Sequence, residues 1–148
     1  MSHKHKDQPK PILILEASFY PDIAEKLMDG ATRVLEDAMV AYEQLTVPGC
    51  FELPAAIAIA LKSKRYSGYI ALGCVIRGET SHYDYVCSES ARGLNQLAIK
   101  HRLALGYGII TAENDAQAYA RCMPDDRNVG RRAASACLAM LDIKHQFT

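Results

Sequence analysis

The chain has 148 residues, 49% hydrophobic and 23% charged, which predicts one globular domain with a single core. Lys and Arg together number 17, as do Asp and Glu, so the basic excess typical of nucleic-acid-binding proteins is absent. The longest apolar run, residues 53–61, is under half of the ~20 residues that a membrane-spanning helix needs.

Residues 1–10, MSHKHKDQPK, are polar and lack the apolar middle of a secretory signal. We expect a flexible N-terminal arm, followed by a single domain over residues 11–148. His3 and His5 could bind a metal ion, but a solvated tail is the simpler interpretation of so polar a segment.

The first predicted unit is a strand followed by a helix. Residues 12–15 form a continuous apolar run, as expected for a strand covered on both faces. Pro21 suits the first turn of a helix, where its fixed φ and missing donor are tolerated. Spacings of three and four residues predict the buried side of this helix at Ile23, Leu27, Ala31, Val34 and Ala38.

Three further units follow without a linker. They predict strands at 42–47, 69–76 and 104–111, with helices at about 53–63, up to 100, 116–122 and 129–143. Alternating strands and helices imply parallel pairing. The predicted fold class is α/β, a three-layer α/β/α sandwich with a four-stranded parallel, flavodoxin-like sheet. Such a small sheet leaves two edges, which weakly favours an oligomer.

The five cysteines form no C-x-x-C pair, and their number is odd. This pattern argues against a zinc site and against a complete disulfide framework, so we expect no bound metal. Free thiols in a reducing cytoplasm are the simpler interpretation.

Ligands of open parallel sheets bind beyond the carboxyl ends of the strands, here residues 17–20, 47–53, 75–83 and 111–114. In the third segment Gly78 permits close approach to a ligand, and Thr80 or Ser81 can cap the following helix. The first amides of that helix would suit a phosphate. A plain capped helix start explains the same residues equally well.

Other side chains near these strand ends have a functional and an ordinary interpretation. His82 could transfer protons, or lie at the surface. Phe19 could stack on a planar heterocycle, although a buried hydrophobic plug is favoured by position alone. Glu52 could bind a polyol or complement the helix dipole. Arg121 suits a phosphate, but most helical arginines are solvated.

Several familiar motifs are absent from the sequence: G-x-G-x-x-G after the first strand, G-x-x-x-x-G-K-[ST], G-x-S-x-G and H-E-x-x-H. Cys50 and Cys74 lie near the predicted site, but their apolar context is typical of structural thiols. We therefore expect no cysteine nucleophile.

Four motifs stand in an order that resembles the lumazine synthase family over residues 12–147. They are VPGCFELP at 47–54, GCVIRGETSHYD at 73–84, GYG at 106–108 and QAYAR at 117–121. The resemblance implies condensation of 5-amino-6-ribitylaminouracil with 3,4-dihydroxy-2-butanone 4-phosphate, without a metal or redox cofactor. The implied steps are imine formation, phosphate loss, ring closure and dehydration.

The resemblance also implies roles for individual residues. His82 would transfer protons, whereas Glu79 and Thr80, through backbone amides, and the Arg121 side chain would hold the phosphate. The pyrimidine and ribityl group would meet Phe19, Cys50, Phe51, Glu52, Cys74, Val75 and Ile76. Tyr107 would reach the site of a neighbouring subunit.

A site shared between subunits implies a homo-oligomer built from pentamers, with small-molecule substrates and riboflavin synthase as a candidate partner. Ser18, Tyr20 and Val129 stand where the family commonly has Arg, Asn and Lys. Residues 16–20 resemble variants from bacteria that carry two copies of the family. Arg127 or Arg131 could replace the lysine charge. The alternatives are a catalytically weak flavin- or lumazine-binding paralogue and a scaffold domain without small-molecule chemistry.

Overall fold

The computed structural model describes residues 9–148. The predicted polar arm, including His3 and His5, therefore lies outside the described residues, except for Pro9 and Lys10. Those two residues are exposed and belong to no helix or strand.

The described chain folds into four strands and five helices that alternate as predicted. The strands are β1 (Ile12–Ala17), β2 (Tyr42–Val47), β3 (Gly68–Ile76) and β4 (Leu105–Ala112). The helices are α1 (Pro21–Asp37), α2 (Leu53–Leu61), α3 (His82–His101), α4 (Asp115–Ala120) and α5 (Val129–Gln146). A single 3₁₀ turn, Cys50–Glu52, leads into α2.

All pairings in the sheet are parallel, and the strand order is β2-β1-β3-β4. This order matches the first four strands of the flavodoxin-like arrangement, which reverses direction between β1 and β3. The predicted three-layer α/β/α sandwich with a four-stranded parallel, flavodoxin-like sheet is confirmed.

Side chains of the central strands alternate between two hydrophobic cores, one on each face of the sheet. Ile12 and Ile14 of β1 pack in the core that contains α1 and α5, whereas Leu13 and Leu15 pack in the core that contains α2 and α3. All four are at most 3% exposed. A strand buried on both faces needs apolar residues at every position, which is why residues 12–15 read as a continuous apolar run.

Helix α1 begins at Pro21, as predicted, and buries one side against the sheet. Ile23, Leu27 and Ala31 are buried and Val34 is half-buried, in agreement with the spacing. Ala38 is exposed, so its assignment to the buried side was wrong. The helix ends at Asp37, and Leu35 supplies the last buried position instead.

Helices α1 and α5 approach so closely that glycine is needed where they cross. A methyl group on Gly130 would overlap the Leu27 carbonyl oxygen, and one on Gly30 would overlap the Asn128 side chain. The buried Asn128 amide nitrogen donates to the Cys122 carbonyl at 2.9 Å, and its oxygen accepts from the Arg131 amide. These bonds satisfy a buried polar group and fix the start of α5.

Helix α2 is apolar throughout, yet it buries only Leu53 and Ile57 within the chain. Ile59, on its outer side, is 74% exposed. No helix within residues 9–148 is long and apolar enough to cross a membrane.

Candidate active site

A cleft of about 670 Å³ opens beyond the carboxyl ends of the strands. Its walls come from the loops after β1, β2 and β3, so it lies where the strand order reverses between β1 and β3. The predicted site residues that line it are Phe19, Cys50, Phe51, Glu52, Cys74, Val75, Ile76, Thr80 and His82. Segment 111–114, which also lies at this edge, contributes none of the lining residues.

Phe19 projects from the loop after β1 and is 71% exposed, so it is not a buried plug. The ring of Tyr20 packs edge-to-face against it, with centroids 5.0 Å apart and planes at 77°. Ser18 anchors the loop through its backbone amide, which donates to the Val47 carbonyl at 3.0 Å. The exposed face of Phe19 is thus available to stack on a planar ligand.

The inner end of the cleft is formed where the 3₁₀ turn meets β3. Gly73 leaves room for the Cys50 thiol, because a methyl group there would overlap the sulfur. Burial raises the pKa of Cys50 to about 12 and that of Cys74 to about 12. Both side chains therefore stay protonated near neutral pH and lack the thiolate that nucleophilic catalysis needs.

These buried thiols predict a loss of stability at alkaline pH. Burial also raises the pKa of Cys137 to about 12, so the folded chain keeps protons that unfolded thiols release from about pH 9 upward. Stability is then greatest below that pH and falls as the pH rises toward 12. Urea unfolding between about pH 8 and pH 10.5 should show this decline.

Cys137→Ala tests this assignment without changing the cleft, because the Cys137 thiol lies in the core that contains α5. The variant should show a shallower decline of stability with pH. An unchanged slope would contradict the assignment of alkaline destabilisation to the buried thiols.

The loop from β3 to α3, residues 77–81, carries the predicted phosphate-binding sequence. Of the two predicted caps, the Thr80 hydroxyl accepts a hydrogen bond from the His82 backbone amide at 3.3 Å. The Ser81 side chain makes no cap hydrogen bond. Gly78 does not adopt a left-handed conformation, and nothing lies within 4 Å of a methyl group placed on it. The missing side chain at Gly78 therefore leaves open space beside the backbone, which suits the close approach of a ligand.

His82 begins α3 and lines the cleft with its exposed side chain. Helix α3 has 20 residues, and the partial positive charge of its first amides points toward the same space. The cleft thus combines an aromatic ring, a helix N-terminus and a residue able to transfer protons.

Tyr107 does not line this cleft. It lies in a second groove, of about 1040 Å³, between α3, β4 and the end of α5. The residue is 42% exposed, yet burial raises the pKa of its hydroxyl to about 12. The two observations agree if the hydroxyl points inward and one face of the ring remains open.

Arg121 also lies outside the cleft. It follows the last residue of α4 rather than lying within the helix, and its guanidinium donates to the Gln117 carbonyl at 2.8 Å. Helix α4 ends at Ala120, two residues before the predicted end.

The arginines considered as replacements for the family lysine are paired elsewhere. Arg127 pairs with Asp125 at 3.6 Å, and Arg131 pairs with Asp126 at 3.0 Å. Neither lines the cleft, and neither does Val129. Within its own chain, neither arginine supplies the charge that Val129 lacks.

The cleft also contains residues that the sequence analysis did not assign, chiefly Tyr20, Tyr83 and Val86. Val86 follows His82 by four residues, so helical periodicity from His82 would have found it. Tyr83 is the last residue of the predicted strand-end segment 75–83. Within residues 9–148, no group of three or more His, Cys, Asp and Glu side chains is placed to hold a metal ion. None of the five cysteines, all within that range, forms a disulfide.

Comparison with known proteins gives a consistent result. Residues 10–145 match the family model described as 6,7-dimethyl-8-ribityllumazine synthase. A relative of that name from Bartonella tribocorum is 49% identical over 137 residues, covering 92% of this chain and 91% of its own. The relative called 6,7-dimethyl-8-ribityllumazine synthase 1 from Rhizobium meliloti is 49% identical over 147 residues, covering 96% of each chain. The Agrobacterium fabrum relative is 49% identical over 141 residues, covering 92% and 95%.

Proposed function

Since the chain belongs to the 6,7-dimethyl-8-ribityllumazine synthase family, we propose that it condenses 5-amino-6-(D-ribitylamino)uracil with 3,4-dihydroxy-2-butanone 4-phosphate. The family makes it an enzyme, a transferase that forms lumazine from small molecules in riboflavin biosynthesis. The reaction releases phosphate and water, and it is the penultimate step of that pathway.

One observation carries the proposal: a single cleft brings together the open ring of Phe19 and the helix N-terminus at Thr80 and His82. A condensation needs both reactants held side by side, so much of the barrier is removed by positioning. The pyrimidine stacks on Phe19, and the phosphate lies against the backbone amides of Glu79 and Thr80. The ketone of the second substrate then lies between them.

The remaining wall of the cleft suits the ribityl chain and the pyrimidine edge. Glu52 is exposed at the rim and can accept hydrogen bonds from polyol hydroxyls, beside Cys50 and Phe51. The backbone groups of Cys74, Val75 and Ile76 can pair with the ring. These contacts require no metal or redox cofactor.

We further propose a homo-oligomer built from pentamers, in which neighbouring subunits complete each site. The second groove, bordered by Tyr107, and the exposed outer side of α2 are apolar surfaces of the kind that subunit interfaces cover. Tyr107 then contributes to a neighbour's cleft. Because Arg121 does not line its own cleft, we place it in the same role.

The free thiols support a cytoplasmic location, where such cysteines stay reduced. The product is the substrate of riboflavin synthase, which we propose as a protein partner. Copurification of the two proteins would test this association.

The direct test mixes the purified protein with both substrates and follows lumazine formation by absorbance. We expect a rate well above that of the uncatalysed condensation. A rate equal to the uncatalysed one would refute the catalytic proposal.

A paralogue that binds flavin or lumazine without efficient catalysis is the second candidate. This candidate is favoured by the missing positive charge: Val129 replaces the family lysine, and Arg127 and Arg131 are paired with aspartates. Tight flavin binding in a fluorescence titration, combined with negligible turnover, would select it. The open cleft disfavours the third candidate, a scaffold domain without small-molecule chemistry.

Replacing His82 tests proton transfer within the proposed mechanism. His82→Gln should lower kcat on the order of 10²-fold, because one positioned acid–base group is lost. Lumazine formation should remain above the uncatalysed rate, because Phe19 and the helix N-terminus still position both substrates. Single-turnover kinetics separates this step from product release, and an unchanged rate would remove His82 from the mechanism.

A further inference from the structure

The loop that would hold the phosphate has few contacts of its own. Residues 78–81 are all exposed. Among the described residues, their only side-chain hydrogen bond is the one from the His82 amide to the Thr80 hydroxyl. A loop with so little internal support needs an anchor elsewhere if its amides are to keep one orientation.

Arg77, the first residue after β3, makes contacts in three directions. Its Nε donates to Glu113 at 2.7 Å, just beyond β4, and its Nη2 donates to Asp84 at 3.2 Å, in the first turn of α3. The guanidinium carbon lies 4.3 Å from the centre of the Tyr83 ring. One side chain thus joins the beginning of the loop to its end and to the neighbouring strand.

We propose that Arg77 is a positioning residue that holds loop 78–81 in its phosphate-binding shape, an inference that rests on the proposed function. Arg77 does not line the cleft, and its Nε and Nη2 donate to Glu113 and Asp84, so it acts on the phosphate through the loop rather than as a ligand. The planar guanidinium holds its donors in fixed directions toward the two carboxylates while its carbon lies over the Tyr83 ring. A lysine ammonium is a point charge without this fixed fork, so we expect it not to replace Arg77.

Because the ion pairs of Arg77 are exposed, its effect on loop position can be measured separately from any effect on folding stability. The side chains of Arg77, Asp84 and Glu113 are 38%, 58% and 57% exposed, and ion pairs as exposed as these contribute little to folding. Removing Arg77 should therefore alter phosphate binding far more than the thermal midpoint. Arg33→Gln is the matched control, because it breaks an exposed ion pair with Asp29 on α1, outside both the cleft and the second groove.

The test compares Arg77→Lys and Arg77→Gln with the unmodified protein and the Arg33→Gln control. Both Arg77 variants should raise KM for the butanone phosphate, and the dissociation constant of inorganic phosphate, about tenfold through loss of loop positioning. KM for the pyrimidine and the thermal midpoint should stay unchanged. Calorimetry with inorganic phosphate measures binding independently of turnover.

Full phosphate affinity in Arg77→Lys would overturn the inference, because charge alone would then suffice. Parallel changes in both KM values and in the thermal midpoint would also overturn it, since they indicate a general structural role. If the unmodified protein binds phosphate but forms no lumazine, the proposed function fails while calorimetry still decides the role of Arg77. If it binds no phosphate, the inference on Arg77 fails as well.

Discussion

Arg121→Ala should lower kcat/KM for lumazine formation on the order of 10³-fold, by removing a charged donor from the phosphate that leaves. The residue lies at the end of α4, outside the cleft of its own chain, and it is exposed. The substitution should therefore leave the thermal midpoint almost unchanged. Steady-state kinetics and a thermal melt check the two expectations, and near-normal kcat/KM would remove Arg121 from the site.

Mixing two variants that are each expected to be strongly impaired then tells whether Arg121 serves a neighbour. Phe19→Ala damages the cleft, whereas Arg121→Ala damages the residue that we place across the interface. In randomly mixed rings each site has one chance in four of an intact cleft beside an intact Arg121, so about a quarter of the activity should return. If Arg121 serves its own chain, every site keeps one defect and mixing restores no activity.

Gly106→Ala should lower the free energy of unfolding by about 3 kcal/mol, because a methyl group overpacks a tight contact. A methyl group there would overlap the Ala133 carbonyl oxygen, where α5 lies directly on β4. The carbonyl belongs to the helix backbone, so the overlap can be relieved only by moving α5. Urea unfolding at a fixed protein concentration measures the effect.

Gly78→Ala is the matched stability control. Its methyl group would meet no atom within 4 Å, and Gly78 does not adopt a left-handed conformation. Its free energy of unfolding should stay within about 0.5 kcal/mol of the original. Equal losses from the two substitutions would show that the effect arises from losing glycine itself, rather than from the contact with Ala133.

The residues of the cleft were predictable where they follow strands. Phe19, residues 50–52 and residues 74–76 lie directly after or within β1, β2 and β3, and carboxyl ends of parallel strands meet at one edge. Tyr107 was assigned only through family resemblance, whereas Arg121 was first singled out because a guanidinium suits a phosphate. Only the structure showed that both residues lie outside the cleft, because sequence order does not reveal on which side of an edge strand a groove opens.

The sequence by itself determined the alternation of strands and helices, the double burial of β1 and the start of α1 at Pro21. These features follow from local periodicity and backbone chemistry, which depend only on residues close together in the sequence. The tertiary structure alone decided that Ala38 lies outside the core, that Gly106 and Gly130 permit close packing, and that Arg77 bridges Asp84 and Glu113. Each of these depends on residues far apart in the chain, whose meeting is set by how the elements pack.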